Sequence, residues 1–209
     1  GMITNVDDNV GKTRALLKKL GVYENTIYIF TTDNGTKTGD KIFNAGMRGR
    51  KTSEYDGGHR VPFFVHWPKG GLTGGRDIEP ITAHVDLFPT LIDLCGIAPP
   101  KGVNFDGRSI RPLLEGQASL ADGTWPDRIL ITDSQRVVDP VKWQKSSVMT
   151  NRWRLVNGRE LYDMKQDPGQ KKNIARSHPD AVARLRAFYN DWWAELKSTF
   201  KNIPAIHLG

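Results

Sequence analysis

The stretch Thr26-Ile-Tyr-Ile-Phe-Thr-Thr-Asp-Asn-Gly35 joins a run of β-branched and aromatic residues to a polar tripeptide. The run over 26–32 shows no polar alternation, which is typical of a strand buried on both faces in a helix-covered sheet. Open α/β sheets gather their ligand-binding groups at the ends of such strands. The sequence therefore predicts an α/β layer with Asp33 and Asn34 placed at a ligand-binding edge.

The side chains of Asp33 and Asn34 allow two interpretations. A carboxylate and an amide carbonyl supply hard oxygen ligands that suit Ca²⁺ or Mg²⁺. The same tripeptide also forms common turns that leave a strand, because Asp-Asn and Asn-Gly pairs favour turn conformations. The tripeptide alone leaves a metal site and a simple turn both open.

Regular elements are predicted on both sides of this stretch. Apolar residues at three- and four-residue spacings predict an amphipathic helix over 3–20, with Gly21 after it as a stop. Asp7 and Asp8 are interpreted as part of the solvated face of that helix. A further strand is predicted over 61–67, and a further helix is predicted between an Asp86 cap and Gly96.

The segment from Asp33 to Arg60 is polar, glycine-rich and too long for a simple connection, so a functional loop is the favoured interpretation. It includes Met47-Arg-Gly-Arg-Lys51 and Tyr55-Asp-Gly-Gly-His-Arg60. Glycines let the backbone approach a ligand closely, and Lys and Arg bring charge and donors to a sulfate or phosphate. A solvated basic loop is the alternative.

The character of the sequence changes after about Gly116. Short strands are predicted over 128–132, 147–150, 153–156 and 160–162, with Asn157-Gly158 as a hairpin turn, and a helix over 179–197 is expected to pack on this small antiparallel sheet. We therefore predict two domains, 1–116 and 117–209.

Composition narrows the class of protein. The chain has 209 residues, a formal net charge of +7 and one cysteine. The charge favours anionic partners, but no nucleic-acid module accompanies it, and no stretch approaches the roughly 20 apolar residues of a membrane span. We expect neither nucleic-acid nor membrane binding. Cys95 is predicted to be a buried small residue near a helix end.

Several ordered motifs together resemble the second half of a type I sulfatase catalytic domain, within the alkaline-phosphatase-like superfamily. They are Phe30-Thr-Thr-Asp-Asn-Gly35, Met47-Arg-Gly-Arg-Lys51, Tyr55-Asp-Gly-Gly-His-Arg-Val-Pro62, His66-Trp-Pro68, Asp86-Leu-Phe-Pro-Thr-Leu-Ile-Asp93 and Glu160-Leu-Tyr-Asp-Met-Lys-Gln-Asp-Pro168 with Asn173-Ile-Ala175. The resemblance implies a partial alkaline-phosphatase-like α/β core followed by a small antiparallel sheet with a packed C-terminal helix.

The resemblance also implies roles for particular residues. Asp33 and Asn34 match the late pair of ligands to a divalent cation, usually calcium, with magnesium as the other possibility. Lys51 matches the lysine that contacts the substrate sulfate. Asp56 stands where family members commonly have Glu, and the segment through Arg60 is interpreted as shaping the loop, with Arg60 paired to a nearby acid.

The sequence departs from the family pattern at the chemical step. Family members carry two early metal-binding aspartates and a Cys- or Ser-x-Pro-x-Arg motif, whose Cys or Ser becomes the formylglycine nucleophile. Neither region is found in these 209 residues, and Cys95 lies in Leu94-Cys-Gly-Ile97. We expect a C-terminal portion that is inactive alone, without a catalytic nucleophile, and that self-associates through exposed sheet edges.

Three further residues are candidate substrate contacts. His59 lies in the glycine-rich segment, and Arg136 and Lys142 precede the small sheet where they could contact the substrate's leaving group. His66, His84, His178 and His207 are interpreted as structural or exposed.

The expected substrate is a sulfate ester, with a sulfated carbohydrate as one candidate, cleaved by a sulfuric ester hydrolase. A phosphoester or phosphonate hydrolase of the same superfamily and a non-catalytic sulfated-glycan-binding protein are the alternatives. The start of the sequence shows no signal-peptide pattern, whereas an intact family member is expected to be periplasmic or secreted.

Overall fold

The structure is a computed structural model that describes residues 1–200. The helices are α1 (Met2–Lys19), α2 (Asp56–His59), α3 (Leu87–Leu94), α4 (Arg111–Leu114) and α5 (Pro179–Phe200). The strands are β1 (Tyr28–Thr31), β2 (Phe63–His66), β3 (Leu130–Asp133), β4 (Ser146–Met149), β5 (Trp153–Val156) and β6 (Glu160–Asp163). The end of the second predicted domain, including His207, lies outside the described residues.

The chain divides into two compact units. The first comprises Gly1–Thr32 and Pro62–Trp125, and the second comprises Asp33–Val61 with the described residues from Pro126 onward. The glycine-rich segment therefore folds in one unit with the C-terminal sheet, although residues 62–125 separate them in the sequence. The domain division at residues 116 and 117 stays a prediction.

The predicted strand at 26–32 is present as β1, but its predicted burial on both faces is wrong. β1 pairs antiparallel with β2, from Tyr28 opposite His66 to Thr31 opposite Phe63. Its residues are only half-buried, and Phe64 of β2 is 64% exposed. The reason is local, because within residues 1–200 β1 pairs only with β2 and α1 has no buried residue to cover the pair.

The core of the first unit lies around α3 and α4. Its buried side chains are Leu72, Leu94, Ile110, Leu113, Leu114 and Trp125. Asp86 lies at the N-cap of α3, as predicted, but its side chain accepts hydrogen bonds from the Ala83 and Arg108 amides rather than from the helix.

The prediction that Cys95 is buried is wrong. Cys95 follows the last residue of α3 as its C-cap and is exposed, whereas Ile92 and Leu94 take the inward positions.

The second unit contains a four-stranded antiparallel sheet in the order β3-β4-β5-β6, with α5 packed on it. Val148, Leu155 and Leu161 of the sheet and Leu185 and Tyr189 of α5 are completely buried. Truncating one such leucine to alanine costs about 2–5 kcal/mol in a well-packed core. This arrangement confirms the predicted small sheet and its C-terminal helix.

The β5–β6 hairpin confirms the predicted turn. Asn157 and Gly158 both have positive φ angles, 50° and 64°, and the Arg159 amide donates to the Val156 carbonyl at 2.9 Å. Two positive φ angles are the requirement of a type I′ turn, which Asn-Gly meets at little cost.

None of the helices in residues 1–200 combines the length and apolarity that a membrane span needs.

Candidate active site

The glycine loop, residues 33–60, holds two of its parts together by backbone hydrogen bonds. The Gly35 amide donates to the Gly58 carbonyl at 3.0 Å, and the Lys51 amide donates to the Thr36 carbonyl at 2.8 Å. The segment that follows Asp33 and Asn34 is therefore paired with the segments that carry Lys51 and Gly58. The three residues matched to a metal and sulfate site consequently belong to one connected piece of backbone.

Glycine is required where these segments cross. A Cβ atom on Gly35 would lie 1.9 Å from the Gly57 carbonyl oxygen, and one on Gly58 would lie 2.0 Å from the Ser53 carbonyl oxygen. Both contacts are with backbone atoms, which cannot rotate away as a side chain could. The glycines thus permit an approach of backbone to backbone that any other residue would prevent.

Asp33 and Asn34 present their side chains at the start of the loop. The Asn34 amide donates from Nδ2 to Asp33 Oδ2 at 2.9 Å, and the Asp33 carboxylate is exposed. This orientation leaves the Asn34 carbonyl oxygen and Asp33 Oδ1 as acceptors. These are hard oxygen ligands of the kind that Ca²⁺ and Mg²⁺ take.

Asp33 and Asn34 offer the type of ligand that such a cation prefers, but they offer too few ligands to complete its coordination. Ca²⁺ takes about six to eight oxygen ligands, whereas no group of three or more His, Cys, Asp or Glu side chains suited to a metal occurs within residues 1–200. Asp33 and Asn34 could therefore supply only part of a coordination shell.

Lys51 occupies a tight turn. The Ser53 amide donates to the Arg50 carbonyl at 2.9 Å, and Thr52 has a φ of +74°. A positive φ is uncommon for a β-branched residue and signals local strain, which is held in place by the surrounding structure. The half-exposed side chain of Lys51 therefore extends from a stretch of backbone that the turn holds in place.

A buried carboxylate anchors the second half of the loop. Asp56 is completely buried, and its Oδ1 accepts a hydrogen bond from Arg154 Nε of β5 at 2.9 Å. Its backbone amide donates to the Gln170 side-chain oxygen at 2.9 Å. Burial raises the pKa of the Asp56 carboxyl, but His59 and Arg154 outweigh burial and leave that pKa below its ordinary value.

His59 and Arg60 both face this carboxylate. His59 Nε2 lies 3.4 Å from Asp56 Oδ1 with its side chain 16% exposed, and Arg60 Nη1 lies 4.0 Å from Asp56 Oδ2. The acid expected near Arg60 is thus Asp56. A substrate contact by His59 stays a prediction, although its ring is turned toward the anchor of the loop.

A second set of polar contacts ties the loop to β6. Arg48 lies 3.8 Å over the Tyr55 ring and donates to the Tyr162 hydroxyl at 2.9 Å, and the Tyr55 hydroxyl donates to Glu160 Oε2 at 2.9 Å. The Tyr162 hydroxyl also donates to Glu160. Burial, followed by the Glu160 hydrogen bond, raises the pKa of Tyr55 to about 12, and the same causes raise the pKa of Tyr162.

Arg136 and Lys142 lie outside the glycine loop, on the connection between β3 and β4. Both are exposed. Gln135 closes the base of this connection, because its side chain exchanges two hydrogen bonds with the backbone of Val141 at 2.7 and 3.0 Å. Among the described residues, no hydrogen bond links Arg136 or Lys142 to Lys51. Their contacts with substrate stay predictions.

Sequence reasoning missed the partners that hold the loop, chiefly Arg154, Gln170 and Glu160. One signal was available. Arg154 interrupts the apolar strand Trp153-Arg-Leu-Val156, and an arginine inside a buried strand needs an anionic partner. Nothing in the sequence identified that partner as Asp56.

Two family profiles match the chain. The profile described as sulfatase matches residues 1–97, and the one described as N-sulphoglucosamine sulphohydrolase, C-terminal, matches residues 50–187. The chain belongs to the sulfatase family. The suspected resemblance to type I sulfatases is confirmed.

Individual sulfatases agree with this assignment. The chain is 39% identical over 114 residues to an uncharacterized sulfatase, YdeN, of Escherichia coli K12, covering 54% of the chain and 20% of that protein. It is 31% identical over 185 residues to an arylsulfatase of Clostridium perfringens, covering 85% of the chain and 35% of that protein. The chain thus spans a fifth to about a third of these two relatives.

A solved structure shares the fold. The crystal structure of Ps i-CgsB in complex with k-i-k-neocarrahexaose superposes with a TM-score of 0.79 at 26% identity, covering 92% of this chain and 42% of that one. The predicted fold class, part of an alkaline-phosphatase-like sulfatase core with a small antiparallel sheet and a C-terminal helix, is confirmed.

Proposed function

We propose that the protein hydrolyses sulfate monoesters and that this chain contributes Asp33, Asn34 and Lys51 to the active site. The observation that carries the proposal is the pair of backbone hydrogen bonds from Gly35 to Gly58 and from Lys51 to Thr36. These hydrogen bonds connect the segment that follows Asp33 and Asn34 to the segment that carries Lys51. Family membership supports the reaction class.

Asp33 and Asn34 would hold a divalent cation, most simply Ca²⁺, with Mg²⁺ as the other candidate. A bound cation at this position would neutralise negative charge on the oxygens of the sulfate. The chain's own contribution is to fix two oxygen ligands on a backbone that Gly35 locks in place. The remaining ligands would come from water and from parts of the protein outside these 209 residues.

Lys51 would contact a sulfate oxygen through its ammonium group. A compact, strongly charged donor on a fixed turn stabilises negative charge on the ester without a change of its own position. Thr52 and Ser53 set the turn, and the Asp56 anchor keeps it attached to the sheet. His59, Arg136 and Lys142 are candidate contacts to the rest of the substrate.

A sulfated carbohydrate is the substrate class we favour. One solved relative is complexed with an oligosaccharide, k-i-k-neocarrahexaose, and a formal net charge of +7 attracts polyanions. The nucleophile would be a formylglycine outside these residues, since the chain has no Cys- or Ser-x-Pro-x-Arg sequence. We therefore propose that the 209 residues alone are inactive.

The proposal is tested with Lys51→Ala in the intact parent enzyme. Loss of one preorganised donor to the reacting group lowers turnover by about 100-fold or more in comparable sites. Lys41→Ala is the matched control, because Lys41 is exposed in the same loop. Wild-type turnover of sulfate esters by Lys51→Ala would refute the role, and faster turnover of the corresponding phosphate esters would favour a phosphoester hydrolase instead.

A further inference from the structure

A second basic site lies in the C-terminal unit, at the start of α5. It is a groove of about 290 Å³ between the β5–β6 hairpin, the turn before α5 and the first two turns of that helix. Three arginines, Arg159, Arg176 and Arg186, line it together with Pro179, Val182 and two alanines. None of the lining residues is acidic or aromatic.

The local structure explains why one of the arginines is fixed. Arg186 donates from Nε to the Gly158 carbonyl at 2.8 Å, and its Nη2 contacts the same oxygen. The left-handed turn at Asn157-Gly158 presents this carbonyl. The guanidinium is therefore held by the hairpin while its remaining donors stay available to a ligand.

No acidic residue within 1–200 lines the groove to offset its charge. Arg48, Arg60, Arg111, Arg152 and Arg154 all form ion pairs with carboxylates. Among the described residues, by contrast, none of the three groove arginines lies in an ion pair. The N-terminal end of the 22-residue α5 adds a partial positive charge near Pro179, and Asp180, the acidic residue of that first turn, is outside the groove lining. Three cationic groups around one concave surface favour an anion there.

We propose that this groove binds a sulfated segment of a glycan chain, separately from the glycine loop. Guanidinium groups pair with tetrahedral oxyanions through parallel hydrogen bonds, and Pro179 and Val182 offer an apolar floor to the C–H face of a sugar ring. Single-stranded nucleic acid is the less suitable polyanion, because it binds through aromatic stacking platforms that the groove lacks.

The choice of a sulfated glycan rests on the proposed function, but the existence of an anion site in the groove does not. The site would hold a part of the glycan that is not being hydrolysed. It would therefore raise the enzyme's affinity for long substrates without taking part in the reaction.

The test compares two charge-matched variants of the intact parent enzyme. Arg159→Gln with Arg176→Gln removes two groove charges, whereas Arg184→Gln with Lys197→Gln removes two exposed charges of α5 that do not line the groove. Arg186 is retained because it supports the hairpin. Binding to a size-defined heparin oligosaccharide is measured by calorimetry at several salt concentrations, with a desulfated oligosaccharide and a single-stranded DNA as comparison probes.

We expect the groove variant to bind heparin oligosaccharide at least about tenfold more weakly than the wild type, with a smaller salt dependence, and the control variant to change little. Equal losses in the two variants would overturn the proposal, because the effect would then reflect net charge alone. DNA binding that falls as much as heparin binding would overturn the choice of a glycan.

The Lys51→Ala variant separates this inference from the proposed function. If Lys51→Ala in the intact parent retains full turnover while the groove variant still loses heparin, the proposed role of Lys51 fails and the groove stands. If the groove variant binds heparin normally while Lys51→Ala loses turnover, the groove proposal fails and the proposed role of Lys51 stands.

Discussion

Asp56 of the glycine loop and Arg154 of β5, 98 residues apart in the sequence, form a buried ion pair with Oδ1 and Nε at 2.9 Å. The Asp56 side chain is completely buried and that of Arg154 is 8% exposed. Arg154 also donates to the Thr150 carbonyl. The pair fastens the loop that carries Lys51 to the rigid sheet, so that the geometry of the candidate site depends on a contact outside it.

We expect Arg154→Met to destabilise the chain by about 3–5 kcal/mol, because Asp56 Oδ1 loses its partner at 2.9 Å and the buried carboxylate keeps only the more distant His59 and Arg60. Arg111→Met is the control. Arg111 also pairs with a carboxylate, but its side chain is 42% exposed, and exposed pairs contribute about 1 kcal/mol or less. Urea denaturation measures the loss of unfolding free energy in each variant. Equal losses would show that the buried pair stabilises the chain no more than the exposed pair does.

The same pair makes stability depend on pH. The folded-state pKa of Asp56 lies below its ordinary value, which is about 3.9 in an unfolded chain. The contribution of Asp56 is therefore present above about pH 4 and is lost as the pH falls through the folded-state pKa. Unfolding free energies measured over a pH series should show the gap between the wild type and Asp56→Asn narrowing below pH 4. A gap that stays constant would contradict this linkage.

The elements that the sequence predicted well are those set by neighbours in the chain. The Asn157-Gly158 hairpin follows from two residues that accept positive φ, and α5 follows from apolar spacing over 179–197. The interior of the glycine loop was not predictable in this way. Its position depends on Arg154 and Gln170, which meet Asp56 only after distant segments have folded.

The errors have a similar cause. Local composition placed β1 in a doubly buried sheet and Cys95 in the core. Burial, however, is decided by what packs against an element, and within residues 1–200 the side chains around β1 leave it only half-buried. The four-residue helix α4 gave no periodic signal because it is barely one turn long.

Gly35→Ala should disrupt the loop, because the new Cβ would lie 1.9 Å from the Gly57 carbonyl oxygen. We expect a loss of several kcal/mol, as for other substitutions that force backbone apart. Gly11→Ala is the control, because a Cβ at Gly11 meets no atom within 4 Å and Gly11 lies inside α1. That change should stabilise the chain by about 0.5–1 kcal/mol. Thermal unfolding of both variants would reveal the opposite signs, and a neutral Gly35→Ala would refute the close crossing.

Tyr55 should resist deprotonation. Burial and the Glu160 hydrogen bond raise the pKa of Tyr55 to about 12, above the ordinary value of about 10. Because the unfolded chain loses this proton first, the stability due to the neutral hydroxyl is present below about pH 10 and is lost as the pH rises toward 12. Phenolate absorbance should show one late-titrating tyrosine disappear in Tyr55→Phe, and Glu160→Gln should lower the pKa of Tyr55. An unchanged titration in Glu160→Gln would refute the hydrogen bond as a cause.

The proposed divalent-cation site gives a prediction that does not depend on turnover. A cation that binds only the folded protein raises the free energy of unfolding by RT ln(1 + [L]/Kd), and the melting temperature rises with it. In the intact parent enzyme, Ca²⁺ should raise the melting temperature of the chelator-treated wild type but not that of Asp33→Ala. Asp139→Ala is the matched control, because Asp139 is an exposed aspartate outside the glycine loop, and its response to Ca²⁺ should equal that of the wild type. A full Ca²⁺ response in Asp33→Ala would exclude Asp33 as a ligand, and a larger response to Mg²⁺ than to Ca²⁺ in the wild type would identify magnesium as the preferred ion.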